Sequence, residues 1–566
     1  MGAGGLVREG VIGEALSILL YAVAGVAAGV AAAAMMAAAG AYSRLITSVA
    51  AGVPVNDVGL LTESTPSLAV LAGLSSVLAL ALAFAVPEVM GASIDELLDE
   101  YHHRGAEPDP RAVAVKLAAT PIAVGGGVPV GIVGPAVYVG GSVGGLLGKF
   151  LRAGFGLRRR LFIAGVAGAV SWGLRAPLGA VFFALEIPYH RDLEGGADTA
   201  VASAVGSFSS FITSTAFLGP PHITASMSSA HPLGYVVGVL VVGVLAGVLG
   251  KAFSRIYHLG IGVRRGGPIA TAVLAPSVTV ALVMISPVLA GGGLAAASSL
   301  VSAASPLPAA AALLLLALRL GVSPLLSGLG VPGGLFGPGM VTGALLGLAV
   351  HSVTGLADPV SLAVVGMASL YGSVSTAPIG LSIIAAEVSG NYFLAVPSLI
   401  AALLAREVLG SDYLYINQKE RRLRSAIALA RDLAELLKRA GVGDVRVNCS
   451  GGGAPAVVVD SLSPGDVLPS IDVVPSVVVV GSSVAGVVSE ESLSRYLLGE
   501  GGLVERVPIT YCGASLFDVV DLMVRSNSPF VVLVGEGHYL LGVEDVLGWL
   551  SKKGVEALTR DRVGTR

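Results

Sequence analysis

The stretch Gly330–Leu348, GVPGGLFGPGMVTGALLGL, decides how the whole chain is read. It is apolar and rich in glycine, and the pair Gly337-Pro338 interrupts it where a membrane helix would continue. Gly126–Gly148, GGVPVGIVGPAVYVGGSVGGLLG, carries the same pattern earlier in the chain. Downstream of each lies a second matched block, Arg175–Glu186 (RAPLGAVFFALE) and Thr376–Glu387 (TAPIGLSIIAAE). The Gly-Pro pairs are 203 positions apart (134 to 337), the Ala-Pro pairs 201 (176 to 377) and the glutamates 201 (186 to 387). Generic packing of membrane helices puts small residues at four-residue spacing but does not place two such blocks in register. Paired repeats with interrupted helices are the architecture of transport proteins whose site lies between the halves at mid-membrane.

Composition agrees. The 566 residues are 54% hydrophobic and 13% charged, against about 25% charged in an ordinary soluble domain. Residues 1–410 hold 18 Lys/Arg and 18 Asp/Glu, and the remaining 156 residues hold 16 and 19. A multi-helix membrane domain followed by a charged soluble domain is expected, with the lipid bilayer as first partner. A net charge of −3 gives no basic excess for binding nucleic acid. The two cysteines, Cys449 and Cys512, are too few for a disulfide scaffold or a cysteine metal cluster and suggest a reducing compartment for the tail. No removable signal peptide is evident. Basic clusters at His102-His103-Arg104, Arg158–Arg160 and Lys251–Arg265 point to the cytoplasmic side, together with the tail.

A half-helix starting in mid-membrane presents free N–H groups and a positive dipole end. Two Gly-Pro breaks would aim two such ends at one place, which makes an anion site. No Asp or Glu occurs between Asp109 and Glu186, nor between Asp198 and Asp358. A cation path needs carboxylates or carbonyl rings, so the path reads as anion-selective.

These residues resemble the CLC family of chloride channels and chloride/proton exchangers over almost the whole chain. The family break G-[KR]-E-G-P is similar to Gly131-Ile132-Val133-Gly134-Pro135, and G-x-F-x-P to Gly334-Leu335-Phe336-Gly337-Pro338. The break G-S-G-I-P corresponds to Gly91-Ala92-Ser93-Ile94-Asp95, and the pore tyrosine to Tyr415. The resemblance implies chloride as ligand, held by the amides of Leu335 and Phe336, the Tyr415 hydroxyl and a hydroxyl of the first loop. That loop offers Ala92 at the matching position and Ser93 one residue on, so either Ser93 substitutes or the site lacks a donor. Ile132, Val133 and Gly134 would line the same pore.

The resemblance also marks two departures. The gating glutamate of G-x-E-G-P corresponds to Val133, and the exchangers' internal proton glutamate to Ile187, which follows Glu186. An aliphatic side chain carries no proton, so exchange by the family mechanism is not expected.

In the tail, a charged helical stretch is read over Tyr415–Gly441. Short β-branched runs (Ala456–Val459, Val477–Val480, Ala485–Val488, Phe530–Val534) then alternate with helical patterns at Glu490–Leu498 and Ser515–Arg525. This resembles a pair of CBS motifs, which implies an adenine nucleotide as candidate ligand, with Ser489 and Asp545 as candidate contacts, or a structural, dimer-forming role. No other cofactor and no metal is called for.

The expected fold is an all-α polytopic membrane domain with inverted repeats and broken helices over residues 1–425, the halves near 60–220 and 265–415. A helical linker (426–443), a cytosolic α/β CBS pair (444–553) and a tail (554–566) follow. The expected function is a homodimeric chloride channel of the cell membrane, passive, not an enzyme, with one pore per subunit. The alternatives are a CLC-type exchanger with a substitute proton path through Glu186, a CBS-regulated cation transporter, and a membrane-anchored nucleotide sensor.

Overall fold

A computed structural model of the chain describes residues 3–61, 63–217, 232–293, 298, 308–421, 437, 456–471, 473–480, 483–498, 502–526, 528, 530–534, 538–542 and 545–549. The chain divides into two compact units, Met1–Ala428 and Leu429–Arg566. The first is helical. A long α1 (Ala3–Ala51) precedes α2 (Pro66–Ala85), α3 (Ile94–His103), α4 (Pro110–Gly125), α5 (Val133–Phe150), α6 (Phe155–Leu174), α7 (Pro177–Glu186) and α8 (Ala197–Phe217). After α9 (Pro232–Arg265) come α10 (Pro268–Ile285), α11 (Ala309–Gly328), α12 (Phe336–Thr354), α13 (Pro359–Val374), α14 (Pro378–Val388) and α15 (Ala395–Leu409). Among the described residues seven helices are long and apolar enough to cross a membrane.

Local chemistry sets several of the helix starts. Thr65 accepts from the Leu68 N–H at 3.1 Å ahead of Pro66, and Asp358 accepts from the Ser361 N–H at 2.8 Å ahead of Pro359. The breaks fall where the Gly-Pro pairs put them: α4 ends at Gly125 and α5 begins at Val133.

The two repeats are packed alike, through glycine. A Cβ added to Gly165 on α6 would lie 2.1 Å from the Gly140 oxygen on α5. Its counterpart, Gly366 on α13, would bring a Cβ within 2.0 Å of the Gly343 oxygen on α12. Close backbone approach at small residues is the main source of helix–helix attraction in lipid, where no hydrophobic force acts between helices.

The second unit contains two three-stranded mixed sheets. In one, β1 (Ala456–Val459) runs parallel to β2 (Ser476–Val480), which pairs antiparallel with β3 (Ser483–Val488). In the other, β4 (Ile509–Tyr511) runs parallel to β5 (Phe530–Val534), which pairs antiparallel with β6 (His538–Gly542). Helix α16 (Glu490–Leu497) follows β3, and α17 (Leu516–Ser526) lies between β4 and β5. Strands β4 and β6 were not legible in the sequence: Ile509-Thr510-Tyr511 is short, and His538–Gly542 lacks β-branched residues.

Three expectations need correction or limits. Tyr415–Arg421 forms turns rather than a helix, because its side chains and backbone bond outward to other segments. The rest of the expected linker helix lies outside the described residues, except position 437, as does the 554–566 tail. Cys512 is disulfide-bonded, against the expected reduced tail. Finally, Arg159 of the basic cluster is buried beside Glu194 at 3.3 Å rather than set at a membrane surface.

Candidate functional site

The two Gly-Pro breaks meet. The Gly131 N–H donates to the Gly334 oxygen and the Gly334 N–H to the Gly131 oxygen, both at 2.8 Å, forming a one-rung antiparallel bridge. Only glycine permits this approach: a Cβ on Gly131 would lie 2.5 Å from the Pro338 ring, and one on Gly334 2.7 Å from the Pro135 ring. The bridge sets the starts of α5 and α12 side by side. Their N-cap residues are Ile132 and Leu335, which have no side chain to cap with, unlike Thr65 or Asp358 elsewhere. Two uncapped helix starts in a buried place suit a small anion.

Around this pair, Val133, Gly134, Leu335 and Phe336 are all buried, and Val133 is the first residue of α5. The Phe336 ring lies 5.1 Å from Phe183 and 4.8 Å from Tyr371, centroid to centroid. Tyr415 is brought in from beyond α15, its hydroxyl 2.7 Å from that of Tyr371. Within a hydroxyl pair one proton is shared and one is left to donate outward.

The loop of Ala92 and Ser93 reaches the same place: a Cβ on Gly134 would sit 3.2 Å from the Ala92 oxygen. Ser93 has φ 69° and ψ −39°, and the Ile94 N–H donates to the Ala92 oxygen at 2.8 Å, a strained γ-turn. The Ser93 hydroxyl donates to the Gly333 oxygen at 2.8 Å. Its one proton is directed to the second repeat, the geometry of the alternative in which the first loop lacks a donor. Asp95, where the resemblance has proline, accepts from the Asn417 N–H at 2.8 Å, while its carbonyl accepts from the Asn417 side chain at 3.2 Å.

Ile187 caps the end of α7, buried, its carbonyl accepting from Gln418 Nε2 at 2.8 Å. Glu186, the last residue of α7, spends its carboxylate on the second repeat. Its oxygens accept the N–H groups of Ile379 (3.1 Å) and Gly380 (2.6 Å) at the start of α14. Glu387 accepts those of Leu178 (3.1 Å) and Gly179 (2.8 Å) at the start of α7. In the tail, Ser489 accepts from the Ser492 N–H at 3.1 Å and Ser492 Oγ from the Ser489 N–H at 2.9 Å, a reciprocal cap that starts α16. Asp545 accepts from the Gly542 N–H at 2.9 Å. Both nucleotide candidates thus serve local backbone. Among the described residues no group of three or more His, Cys, Asp or Glu forms a metal site.

Sequence reasoning did not single out Tyr371, which stands in α13 between Ser369 and Ser373 and links Tyr415 to Phe336.

Comparison with known proteins agrees with this architecture. The H+/Cl− exchange transporter ClcA of Vibrio cholerae is 27% identical over 382 residues, 61% of this chain and 77% of that one. ClcA of Vibrio campbellii is 24% identical over 367 residues, 62% and 78%. Among solved structures, a slow cyanobacterial Cl−/H+ antiporter superposes with a TM-score of 0.60 at 20% identity, covering 75% of this chain and 98% of the other. A eukaryotic CLC transporter gives 0.55 at 18%, covering 94% and 97%. The family described as voltage gated chloride channel matches residues 70–410, which takes in both breaks and both glutamate caps, and the chain belongs to that family.

Proposed function

We propose that this multi-pass membrane protein is a homodimeric chloride channel, passive, with one pore per subunit running past the paired starts of α5 and α12. The anion is held by the amides of Leu335 and Phe336 and by the Tyr415 hydroxyl. The observation that carries the reading is Val133: at the first residue of α5, where a carboxylate could compete with the anion for free N–H groups, stands a buried valine. Ile187 is equally unable to carry a proton, and both oxygens of Glu186 are held by the α14 backbone.

The second reading is chloride/proton exchange, favoured by the curated relatives, which are named as H+/Cl− exchange transporters. It needs an acid elsewhere along the path, because positions 133 and 187 hold valine and isoleucine. The tail we take as a CBS-type pair on the cytoplasmic side; two mixed sheets of like topology support it.

Chloride efflux from liposomes with simultaneous pH recording tests the reading. An imposed chloride gradient should release chloride without proton uptake. Stoichiometric proton movement above leak would replace the channel by an exchanger.

A further inference from the structure

Lys116 on α4 and Arg319 on α11 are fully buried cations 203 positions apart (116 to 319), the same offset as the Gly-Pro pairs. Each reaches back to the loop before its own helix. Lys116 Nζ donates to the Val89 oxygen at 2.7 Å, and Arg319 Nη1 donates to the Leu289 oxygen. Those carbonyls end two short 3-10 turns, Pro87–Val89 and Pro287–Leu289. Each turn leads to a glycine with positive φ, Gly91 at 121° and Gly291 at 58°. The two repeats thus set one buried cation behind each of two matching loops.

Both loops meet the break between α4 and α5. The first lies against Gly134 through Ala92. From the second, the Gly291 N–H donates to the Gly127 oxygen at 3.2 Å, and a Cβ on Gly292 would lie 3.7 Å from the Gly131 Cα. The breaks carry no charge of their own: Gly125–Gly134 and Gly330–Gly339 contain no acidic or basic residue. The two cations differ in their company. The Lys116 ammonium lies 5.2 Å from the centre of the Tyr138 ring, whose hydroxyl donates to Glu100 at 2.6 Å, so a carboxylate stands near it. Arg319 spends its hydrogen bonds on neutral carbonyls, Nη2 donating to the oxygens of Gly291 at 2.9 Å and Gly292 at 2.7 Å. Its Nε has no partner among the described residues. The acid across the loop, Asp57, accepts from the Gly59 N–H at 2.9 Å. A guanidinium stays protonated, and burying one beside neutral groups is costly. Inside a membrane such a charge marks the path of an ion.

We propose that Arg319 is the fixed counter-charge of the permeating anion at the Gly127–Gly131 end of the break. Lys116 is its carboxylate-screened mate behind the Ala92 loop. Arg319 acts from behind Gly292, by its field, and sets how strongly a monovalent anion is drawn to the paired helix starts. This rests on the anion-site reading above.

The test is chloride flux through the full-length protein in liposomes, measured against chloride concentration. Arg319→Gln keeps a donor to the loop and removes the charge. Its half-saturating chloride concentration should rise about tenfold, the order for a unit charge roughly 10 Å away at an effective dielectric constant of about 20. Its flux at saturating chloride should match the parent. Arg319→Lys returns the charge with fewer donors and should recover most of the shift. Asp57→Asn keeps an acceptor for the Gly59 N–H, removes a negative charge across the loop from Arg319, and should lower the half-saturating concentration. That variant leaves the Arg319 clamp intact, so it decides the matter if the Arg319 variants do not fold. Flux that falls alike at every chloride concentration in Arg319→Gln would make Arg319 a loop fastening and overturn the assignment. So would Arg319→Lys behaving as Arg319→Gln does, or Asp57→Asn with the half-saturation of the parent. A parent that passes no chloride would instead overturn the anion-site reading, and this assignment with it.

Discussion

Glu186 and Glu387 exchange helix caps: the carboxylate ending α7 closes the first turn of α14, and the carboxylate ending α14 closes the first turn of α7. Gly179 and Gly380 make the crossing possible, since a Cβ on either would lie 2.6 or 2.5 Å from a backbone nitrogen of the opposite helix. Neither helix has a local cap, because Ala176 and Ala377 occupy the N-cap positions. In a membrane interior an unsatisfied N–H costs several kcal/mol, and here each repeat supplies the other's acceptor. The acid that a proton path through Glu186 would require is the fastening between the two halves.

Replacing either glutamate by glutamine should therefore cost stability rather than coupling. Glutamine keeps one acceptor oxygen and turns an NH2 group toward an N–H, so each variant should lose on the order of 1–3 kcal/mol. Thermal unfolding in detergent should report the loss for Glu186→Gln and Glu387→Gln alike, with chloride flux per folded protein unchanged. A Glu186→Gln variant as stable as the parent but altered in proton movement would make Glu186 a relay.

Placing a carboxylate at the first residue of α5 should create a gate. In Val133→Glu the ionised side chain can take the N–H groups offered to chloride, and protonation releases it as pH falls. Chloride flux from liposomes should be low near neutral pH and recover in acid, whereas Val133→Gln should conduct at both. Full, pH-insensitive flux in Val133→Glu would remove Val133 from the pore.

The glycine crossings should be intolerant of a single methyl group. Gly165→Ala and Gly366→Ala each force a carbon to about 2 Å from a backbone oxygen on the facing helix, which the packing cannot relieve. Both should fail to give a monodisperse protein on size-exclusion chromatography. Gly262 on α9 has nothing within 4 Å of an added Cβ, so Gly262→Ala should be neutral or stabilise by about 0.5–1 kcal/mol through helix propensity.

In the tail, Ser489→Ala should cost about 1 kcal/mol by removing the reciprocal cap of α16. If the tail holds an adenine nucleotide, millimolar ATP or AMP should raise its unfolding temperature in the full-length protein by mass action. No shift on adding nucleotide would leave the two sheets a structural role.

The order of the residues alone determined the membrane domain, its two repeats, the breaks at Gly134-Pro135 and Gly337-Pro338, and the aliphatic residues at positions 133 and 187. Those properties are written locally, in hydropathy, in proline's missing donor and in side chains with no proton to give. Tertiary structure alone decided which polar groups spend their hydrogen bonds on each other. Ser93 reaches Gly333, Glu186 reaches Gly380, and Tyr415 reaches Tyr371 across long stretches of chain. A buried donor takes whichever acceptor the packing brings within 3 Å, and no periodicity in the sequence records that distance.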